Sequence, residues 1–385
     1  MMHLRAWWLW SAGLLACAPA PAPKVVSPPA PTCGPVETIE DPVRIPFGMY
    51  SVPVDRFEDL SAAGMTMVGP YYGGAVDAAV LDAAHDRGLR VLYPVGFDGV
   101  QVDDDARARL EAQVHAVVDH PAIGGWYVLP EETRPWVDAE VEYLAWVRST
   151  VHAADPLHRP LLSYQPNHRR RDELAAVSGS LDIVTRGLYA NFVGATHTRA
   201  WVREGARSIA EATAETQTPW AVLEMFAQPD AEDLGWVEAW ARHDVYASLV
   251  VGARGLLVFS GWPRAGFDAY AAYLGAYLQV ADELNGTESL ATPLLRGRPS
   301  DAIELERVTG PARVTAGGQE VDSVAWVVVR EGGTAWAYVV NSAEVEVGVK
   351  LRARCPAQSV VGPTLEGDVL RLPALGVAVL RASSK

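Results

Sequence analysis

Short apolar runs alternate with amphipathic stretches through most of the chain, from Ile45 to Asn285. Such alternation is typical of a parallel sheet whose strands are joined by crossover helices. The predicted strands are residues 45–50, 65–70, 90–95, 124–129, 160–164, 182–188, 220–225 and 255–259. Eight strand–helix units in about 240 residues match a (β/α)8 TIM barrel. The alternative is a doubly wound open sheet, but no G-x-G-x-x-G follows the first strand.

The pattern changes near residue 290, where β-rich runs follow one another without helical spacing. These runs are residues 324–329, 335–340 and 345–351, and Gly332-Gly333 between the first two predicts a hairpin. In the third run Val345, Val347, Val349 and Leu351 alternate with polar residues, which indicates a half-buried strand. We therefore predict a barrel over residues 41–288 and an antiparallel β-sandwich over residues 289–385.

The N-terminus has the features of an export signal. Arg5 precedes a short apolar stretch, residues 6–15, that is too short to remain as a spanning helix. Leu14-Leu15-Ala16-Cys17 follows and resembles a bacterial lipobox, in which cleavage precedes a cysteine that then receives a diacylglycerol. The resemblance implies a signal peptide over residues 1–17 and a lipid anchor at Cys17. Ala18, in place of Asp, favours the outer membrane of a bacterial envelope.

The segment after the lipobox is a predicted tether. Residues 18–40 are rich in Pro and Ala, a composition that keeps a chain extended. The two remaining cysteines are Cys33 and Cys355. Because an exported protein meets an oxidising environment, we predict a disulfide between them, the alternative being two unpaired thiols.

Charge and motifs exclude several functions. The formal net charge is −15, which argues against a nucleic-acid partner and against electrostatic docking to anionic lipid. The run from His168 to Arg171 is the one basic cluster, and we interpret it as a solvated loop. No H-x-x-x-H or C-x-x-C spacing predicts a metal, and no G-x-S-x-G predicts a serine hydrolase. We predict a monomer that needs no cofactor.

The predicted strand ends carry acidic and aromatic side chains. Barrels of this kind place their sites at the C-terminal ends of the strands. Sugar rings offer C–H faces that stack on aromatic rings and hydroxyls that bond to carboxylates and amides, so this mixture favours a saccharide. The predicted substrate-binding residues are Tyr71, Tyr72, Asp98, Asn167, Arg186, Tyr189 and Trp262.

The segment from His120 to Glu132, HPAIGGWYVLPEE, resembles the fourth strand of clan A glycoside hydrolases. In that clan a His-Pro step often leads into a Gly-Trp-Tyr strand that ends at an acidic residue. The resemblance covers residues 45–285 and implies that Glu131 is the general acid/base, with Glu132 as the alternative acid. It further implies that Glu224, at the end of strand 7, is the nucleophile, and that Trp262 lies under the reactive sugar.

Two carboxylates at these positions suit a retaining mechanism, in which one protonates the leaving oxygen and the other attacks the anomeric carbon. We expect Arg186 to keep Glu224 ionised, because a nearby cation lowers a carboxylate pKa. Pro130 stands where many clan members have Asn, and it favours a second hypothesis, a non-catalytic saccharide-binding lipoprotein. A third hypothesis is a structural or partner-binding envelope protein that uses the barrel as a scaffold.

Overall fold

The predicted barrel is confirmed by the computed structural model, which describes residues 41–71, 76–191 and 198–383. Eight parallel strands bond in chain order, and β8 bonds back to β1 to close the sheet. The strands are β1 (Phe47–Met49), β2 (Met67–Val68), β3 (Arg90–Gly96), β4 (Ile123–Leu129), β5 (Leu161–Ser163), β6 (Ile183–Leu188), β7 (Thr218–Glu224) and β8 (Gly255–Phe259).

A helix follows each strand and packs on the outside of the barrel. The helices are α1 (Phe57–Ala62), α2 (Ala78–Asp86), α3 (Asp104–His115), α4 (Asp138–Ala154), α5 (Arg171–Ser178), α6 (Arg199–Ala212), α7 (Val237–Val250) and α8 (Tyr270–Asn285). Aspartates begin two of them: Asp77 accepts from the Val80 amide at 3.0 Å and Asp103 from the Ala106 amide at 2.7 Å. These side chains satisfy amides that a first helical turn leaves without intrahelical partners.

Strand residues alternate between the inside of the barrel and the helix layer. In β7, Trp220 and Val222 belong to the inner cluster, whereas Ala221 and Leu223 pack with the helices. In β4, Tyr127 faces inward and the buried Trp126 faces outward, where its Nε1 donates to Asp155 at 2.9 Å. Alternation of this kind fills the barrel with side chains and leaves the mouth at the strand ends for a site.

The C-terminal region is antiparallel, as predicted. After α9 (Ala291–Arg296), a five-stranded sheet has the order β16-β19-β14-β13-β9, a four-stranded sheet the order β10-β15-β18-β17, and β11 pairs with β12. The strands are β9 (Arg298–Pro299), β10 (Ile303–Thr309), β11 (Arg313–Ala316), β12 (Gln319–Asp322), β13 (Val324–Glu331), β14 (Thr334–Asn341), β15 (Val347–Ala353), β16 (Ala357–Val361), β17 (Leu365–Glu366), β18 (Val369–Leu372) and β19 (Val377–Ala382).

Two local predictions in this region have different outcomes. Glu331 pairs with Thr334, so Gly332-Gly333 forms the predicted two-residue hairpin. The prediction for Val345 was wrong, because β15 begins at Val347 and the Val345 side chain is exposed. The cause is Asn341, whose Nδ2 donates to the Val345 carbonyl at 2.8 Å and holds the chain in a turn before the strand.

The β-domain packs firmly against the barrel. Trp336, Tyr338 and Val340 of β14 belong to the same apolar core as the barrel helices. The Tyr338 hydroxyl donates to the Leu290 carbonyl at 2.6 Å, and Arg203 of α6 donates to the Ser342 hydroxyl at 3.1 Å. The two regions therefore share one continuous core.

The predicted signal peptide, lipobox and tether, with Cys17 and Cys33, lie outside the described residues. Cys355 is disulfide-bonded, but its pairing with Cys33 stays a prediction. Among the helices described, none combines the length and apolarity needed to cross a bilayer.

Candidate functional site

A cleft of about 420 Å³ opens at the C-terminal mouth of the barrel. It is lined by Ser51, Glu131, Glu132, Tyr164, Tyr189, Phe226, Phe259, Ser260, Trp262 and Arg264. Trp262 is 61% exposed and presents a large aromatic surface to solvent. The cleft thus combines two carboxylates, one guanidinium and five aromatic rings.

Glu131 follows β4 directly and is held in the cleft by the strand itself. The Tyr127 hydroxyl, four residues earlier and inside the barrel, donates to Oε1 of Glu131. Burial and then the negative charge of Glu131 raise the pKa of the nearby Tyr50 hydroxyl. A neutral tyrosine that donates to a carboxylate fixes its orientation.

Glu132, the alternative acid, lies beside Glu131 and is exposed. Its φ of 61° is left-handed, and its amide donates to the Tyr164 carbonyl at 3.1 Å. Its own carbonyl accepts from Arg169 at 3.3 Å. Arg169 is buried, so the interpretation of His168 to Arg171 as a solvated loop was wrong at this residue. The backbone of Glu132 is thereby fixed, while its carboxylate stays in contact with solvent.

Four aromatic rings form the floor of the cleft. Tyr164 and Tyr189 stack with centroids 6.2 Å apart, and Phe226 meets Tyr189 edge-on at 4.9 Å. Phe259 completes the set, 5.4 Å from Phe226. Edge-to-face and offset arrangements of this kind are favourable for aromatic pairs, so the floor is a packed layer.

Glu224 ends β7 but does not line this cleft. Only 1% of the residue is exposed, and Oε2 accepts from the Asn191 amide at 2.8 Å. Oε1 is buried and has no hydrogen-bond partner within the described chain. Burial raises the pKa of Glu224 to about 7, although the charge of Arg199 and the Asn191 amide oppose the increase. At neutral pH the carboxyl is therefore divided between its acid and its carboxylate forms.

The cation beside Glu224 is Arg199, and the prediction that Arg186 fills this role was wrong. Arg186 instead donates to the Asn167 carbonyl at 3.0 Å and lies over the Trp201 ring. Burial lowers the pKa of Arg186 to about 10. Strand alternation explains the difference. Arg186 shares the helix-facing side of β6 with Val184 and Leu188, whereas Glu224 shares the inner side of β7 with Trp220 and Val222.

Arg199 is part of a buried polar chain that connects the barrel to the β-domain. Its Nη1 bonds to Asp244 at 2.7 Å, and Asp244 bonds to His243 Nδ1 at 2.9 Å. His243 Nε2 lies 3.0 Å from the hydroxyl of Ser342 in the β-domain. Burial lowers the pKa of His243, and Asp244 opposes that change.

Of the other predicted binding residues that the structure describes, only Tyr189 and Trp262 line the cleft with the glutamates. Asp98 is exposed away from the cleft, Asn167 contributes its carbonyl to Arg186, and Tyr71 packs against the outer core. Tyr72 lies outside the described residues. Tyr71, Asp98, Asn167 and Arg186 are therefore not assembled with the acidic pair in this structure.

Sequence reasoning missed Tyr164, Phe226 and Phe259 as cleft residues. Tyr164 directly follows β5, Phe226 lies two residues beyond the end of β7, and Phe259 is the last residue of β8. The signal was present, because the strand-end rule that selected Tyr189 applies equally to them. Among the described residues, no group of three or more His, Cys, Asp or Glu side chains is arranged to hold a metal.

No protein-family model matches the chain, and no curated protein matches it. Solved structures do match. AmyP in complex with maltose is 11% identical with a TM-score of 0.56, covering 86% of this chain and 90% of that one. An α-amylase from H. orenii is 10% identical with a TM-score of 0.54, covering 90% and 100%. A glycoside hydrolase of family 5 from Bacteroides vulgatus is 11% identical with a TM-score of 0.54, covering 88% and 89%.

The chain has a glycoside-hydrolase-like fold. The alignments extend over both the barrel and the β-domain, since each covers at least 86% of the chain. At 10–11% identity such a likeness concerns the fold, and the chemistry has to be argued from the residues of this chain.

Proposed function

We propose that the protein binds a poly- or oligosaccharide in the mouth cleft. The observation that supports it best is the exposed ring of Trp262 in one cleft with the carboxylates of Glu131 and Glu132. The ring offers a stacking face, and the carboxylates accept hydrogen bonds from hydroxyls. The cleft lining has two carboxylates and one guanidinium, that of Arg264, a balance of charge that favours a neutral saccharide over a polyanion.

Replacing Trp262 with Ala is expected to weaken saccharide binding about tenfold or more, because the stacking face is lost. Affinity electrophoresis through gels of soluble starch, xylan, galactomannan, β-glucan, dextran and pullulan measures the change. Starch is the first probe, since the structurally similar AmyP has been solved with maltose. The control is Trp326→Ala, which removes a ring that is 39% exposed in the β-domain and outside the cleft. Equal retention of the two variants would contradict the proposal.

A second candidate function is hydrolysis by a retaining mechanism. Glu131, held by Tyr127 in the cleft, would donate its proton to the leaving oxygen as the glycosidic bond breaks. Glu224 at the end of β7 would attack the anomeric carbon, and water activated by Glu131 would then release the sugar. Glu224 is 1% exposed and is not among the residues that line the cleft, so this reaction needs a rearrangement that brings Glu224 to the substrate.

Release of reducing ends from the same six polysaccharides tests the second candidate. Hydrolysis of any of them by the wild-type protein would establish an enzyme. If the protein hydrolyses none of the polysaccharides that it binds, the result would favour the non-catalytic alternative. The observation that favours this alternative is the 1% exposure of Glu224.

We further propose that the protein is anchored to the bacterial outer membrane through a diacylglycerol on Cys17. The support is the lipobox-like Leu14-Leu15-Ala16-Cys17, followed by Ala18 and a Pro/Ala-rich tether. Wild-type protein is expected to partition into Triton X-114, and Cys17→Ser to shift it to the aqueous phase. The control is Cys33→Ser, which leaves the lipobox intact. Recovery of the wild-type protein in the aqueous phase would contradict the anchor.

A further inference from the structure

A second aromatic surface lies outside the mouth cleft, where the loop after β7 meets the turn between β14 and β15. Its cavity has a volume of about 210 Å³ and is lined by Asp233, Trp236, Trp240, Glu344 and Leu375. None of these residues lines the mouth cleft. The cavity has two tryptophans and two carboxylates, and no cation is among its lining residues.

The barrel holds its side of this cavity in a fixed arrangement. Trp236 ends a short 3-10 turn and donates its amide to the Asp233 carbonyl at 2.8 Å. The guanidinium carbon of Arg199 lies 4.3 Å from the centroid of the Trp240 ring. The ion pair between Arg199 and Asp244 fixes that guanidinium in place. Aromatic groups held in place before binding lose little conformational entropy when a ligand arrives.

The β-domain holds the other side equally firmly. Asn341 is fully buried, and its Nδ2 donates to the carbonyls of Val345 at 2.8 Å and Pro373 at 2.7 Å. The Leu375 amide donates to the Ala343 carbonyl at 2.9 Å. These bonds fix the turn that carries Glu344, so the cavity exists only because the two regions are joined.

We propose that this cavity is a second saccharide-binding site, an inference that rests on the proposed function of the mouth cleft. Trp236 is 38% exposed, and the residues that line the cavity beside Asp233 and Glu344 include no cation. A stacking face beside hydroxyl acceptors, without a cation, selects a neutral ligand rich in hydroxyls. The volume lies below the roughly 300–1,000 Å³ of sites that enclose a drug-sized ligand, so the cavity accommodates a single sugar unit of a longer chain.

The two sites lie at the same end of the barrel. Phe226 lines the mouth cleft, and Trp236 follows it by ten residues in the same loop. Ten residues span at most about 35 Å, which sets an upper limit on the separation of the two positions. One polysaccharide chain that occupies both sites gains affinity by linkage, whereas a short oligosaccharide occupies one site at a time.

The test compares Trp236→Ala with Trp326→Ala, a matched control whose ring is 39% exposed in the β-domain. In the polysaccharide gels, Trp236→Ala is expected to weaken retention about fivefold or more and Trp326→Ala to leave it unchanged. Trp236→Phe keeps a stacking face and is expected to restore most of the retention. Binding of a trisaccharide from the same polymer is expected to depend on Trp262 and only weakly on Trp236.

The possible outcomes separate the two proposals. If Trp236→Ala is retained like Trp326→Ala while Trp262→Ala loses retention, the second site is wrong and the mouth cleft stands. If only Trp236→Ala loses retention, the cavity is the principal site and the proposal for the mouth cleft is wrong. If none of the gels retains the wild-type protein, both proposals are overturned.

Discussion

Replacement of Glu224 by Gln is expected to abolish any glycosidase turnover, by more than about 1,000-fold, and to leave saccharide binding intact. An amide cannot attack the anomeric carbon, so the covalent step of a retaining mechanism is lost. Binding is preserved because Glu224 is buried and is not among the residues that line the cleft. Glu215→Gln, which removes an exposed carboxylate outside the cleft, is the control. Undiminished hydrolysis by the Glu224→Gln protein would remove Glu224 from the mechanism.

The same substitution is expected to change how stability depends on pH. The pKa of Glu224 is about 7 in the folded protein against an ordinary value of 4.5, so the folded state holds this proton over a pH range in which the unfolded chain has lost it. The contribution to stability is therefore present below about pH 4.5 and is lost as the pH rises towards 7. The difference between the two values corresponds to about 3 kcal/mol.

Urea unfolding of the two proteins from pH 4 to pH 8 measures this effect without requiring any activity. Because Gln is neutral throughout, the unfolding free energy of the variant, minus that of the wild type, is expected to rise by about 3 kcal/mol over this range. The difference cancels the contributions of all other titrating groups. Parallel curves for the two proteins would show that burial does not control the ionisation of Glu224.

The sequence was sufficient to predict the barrel because each strand carries its own signal. An apolar run bounded by turn residues identifies β4 or β7 without knowledge of any distant contact. The strand-end rule then placed Glu131, Tyr189 and Trp262 at the mouth, and all three line the cleft. These predictions needed only the period of the pattern and the direction of a parallel strand.

Contacts between residues that are distant along the chain could not be predicted from the sequence. The same strand-end rule selected Glu224, but the burial of this carboxyl apart from the cleft lining depends on how the loops at the mouth pack. Arg199 was missed because its partner Asp244 is 45 residues away, on another helix. Arg186 was predicted to be the cation beside Glu224 because it lies in the neighbouring strand, yet its guanidinium donates to the Asn167 carbonyl.

Replacement of Arg199 by Met is expected to destabilise the protein by about 3–5 kcal/mol at pH 8, because it leaves the carboxylate of Asp244 buried without its ion-pair partner. The pair has an N–O distance of 2.7 Å, and its two side chains are 5% and 2% exposed. Met has a similar length and no charge, so the substitution removes the charge with a small change in volume. The control is Arg313→Met, which breaks an ion pair of the same 2.7 Å length on the surface. Its expected cost is at most about 1 kcal/mol.

The destabilisation by Arg199→Met is expected to be smaller at pH 5 than at pH 8. Arg199 lowers the pKa of both Glu224 and His243, so its removal raises both. At pH 5 Glu224 is then neutral, and loss of the Arg199 charge favours protonation of His243, whose Nδ1 lies 2.9 Å from Asp244. At pH 8 the buried carboxylates lack that compensation. Urea unfolding at the two pH values measures the difference, and an equal loss at both would show that Arg199 supports packing against Trp240 and has no electrostatic role at Glu224.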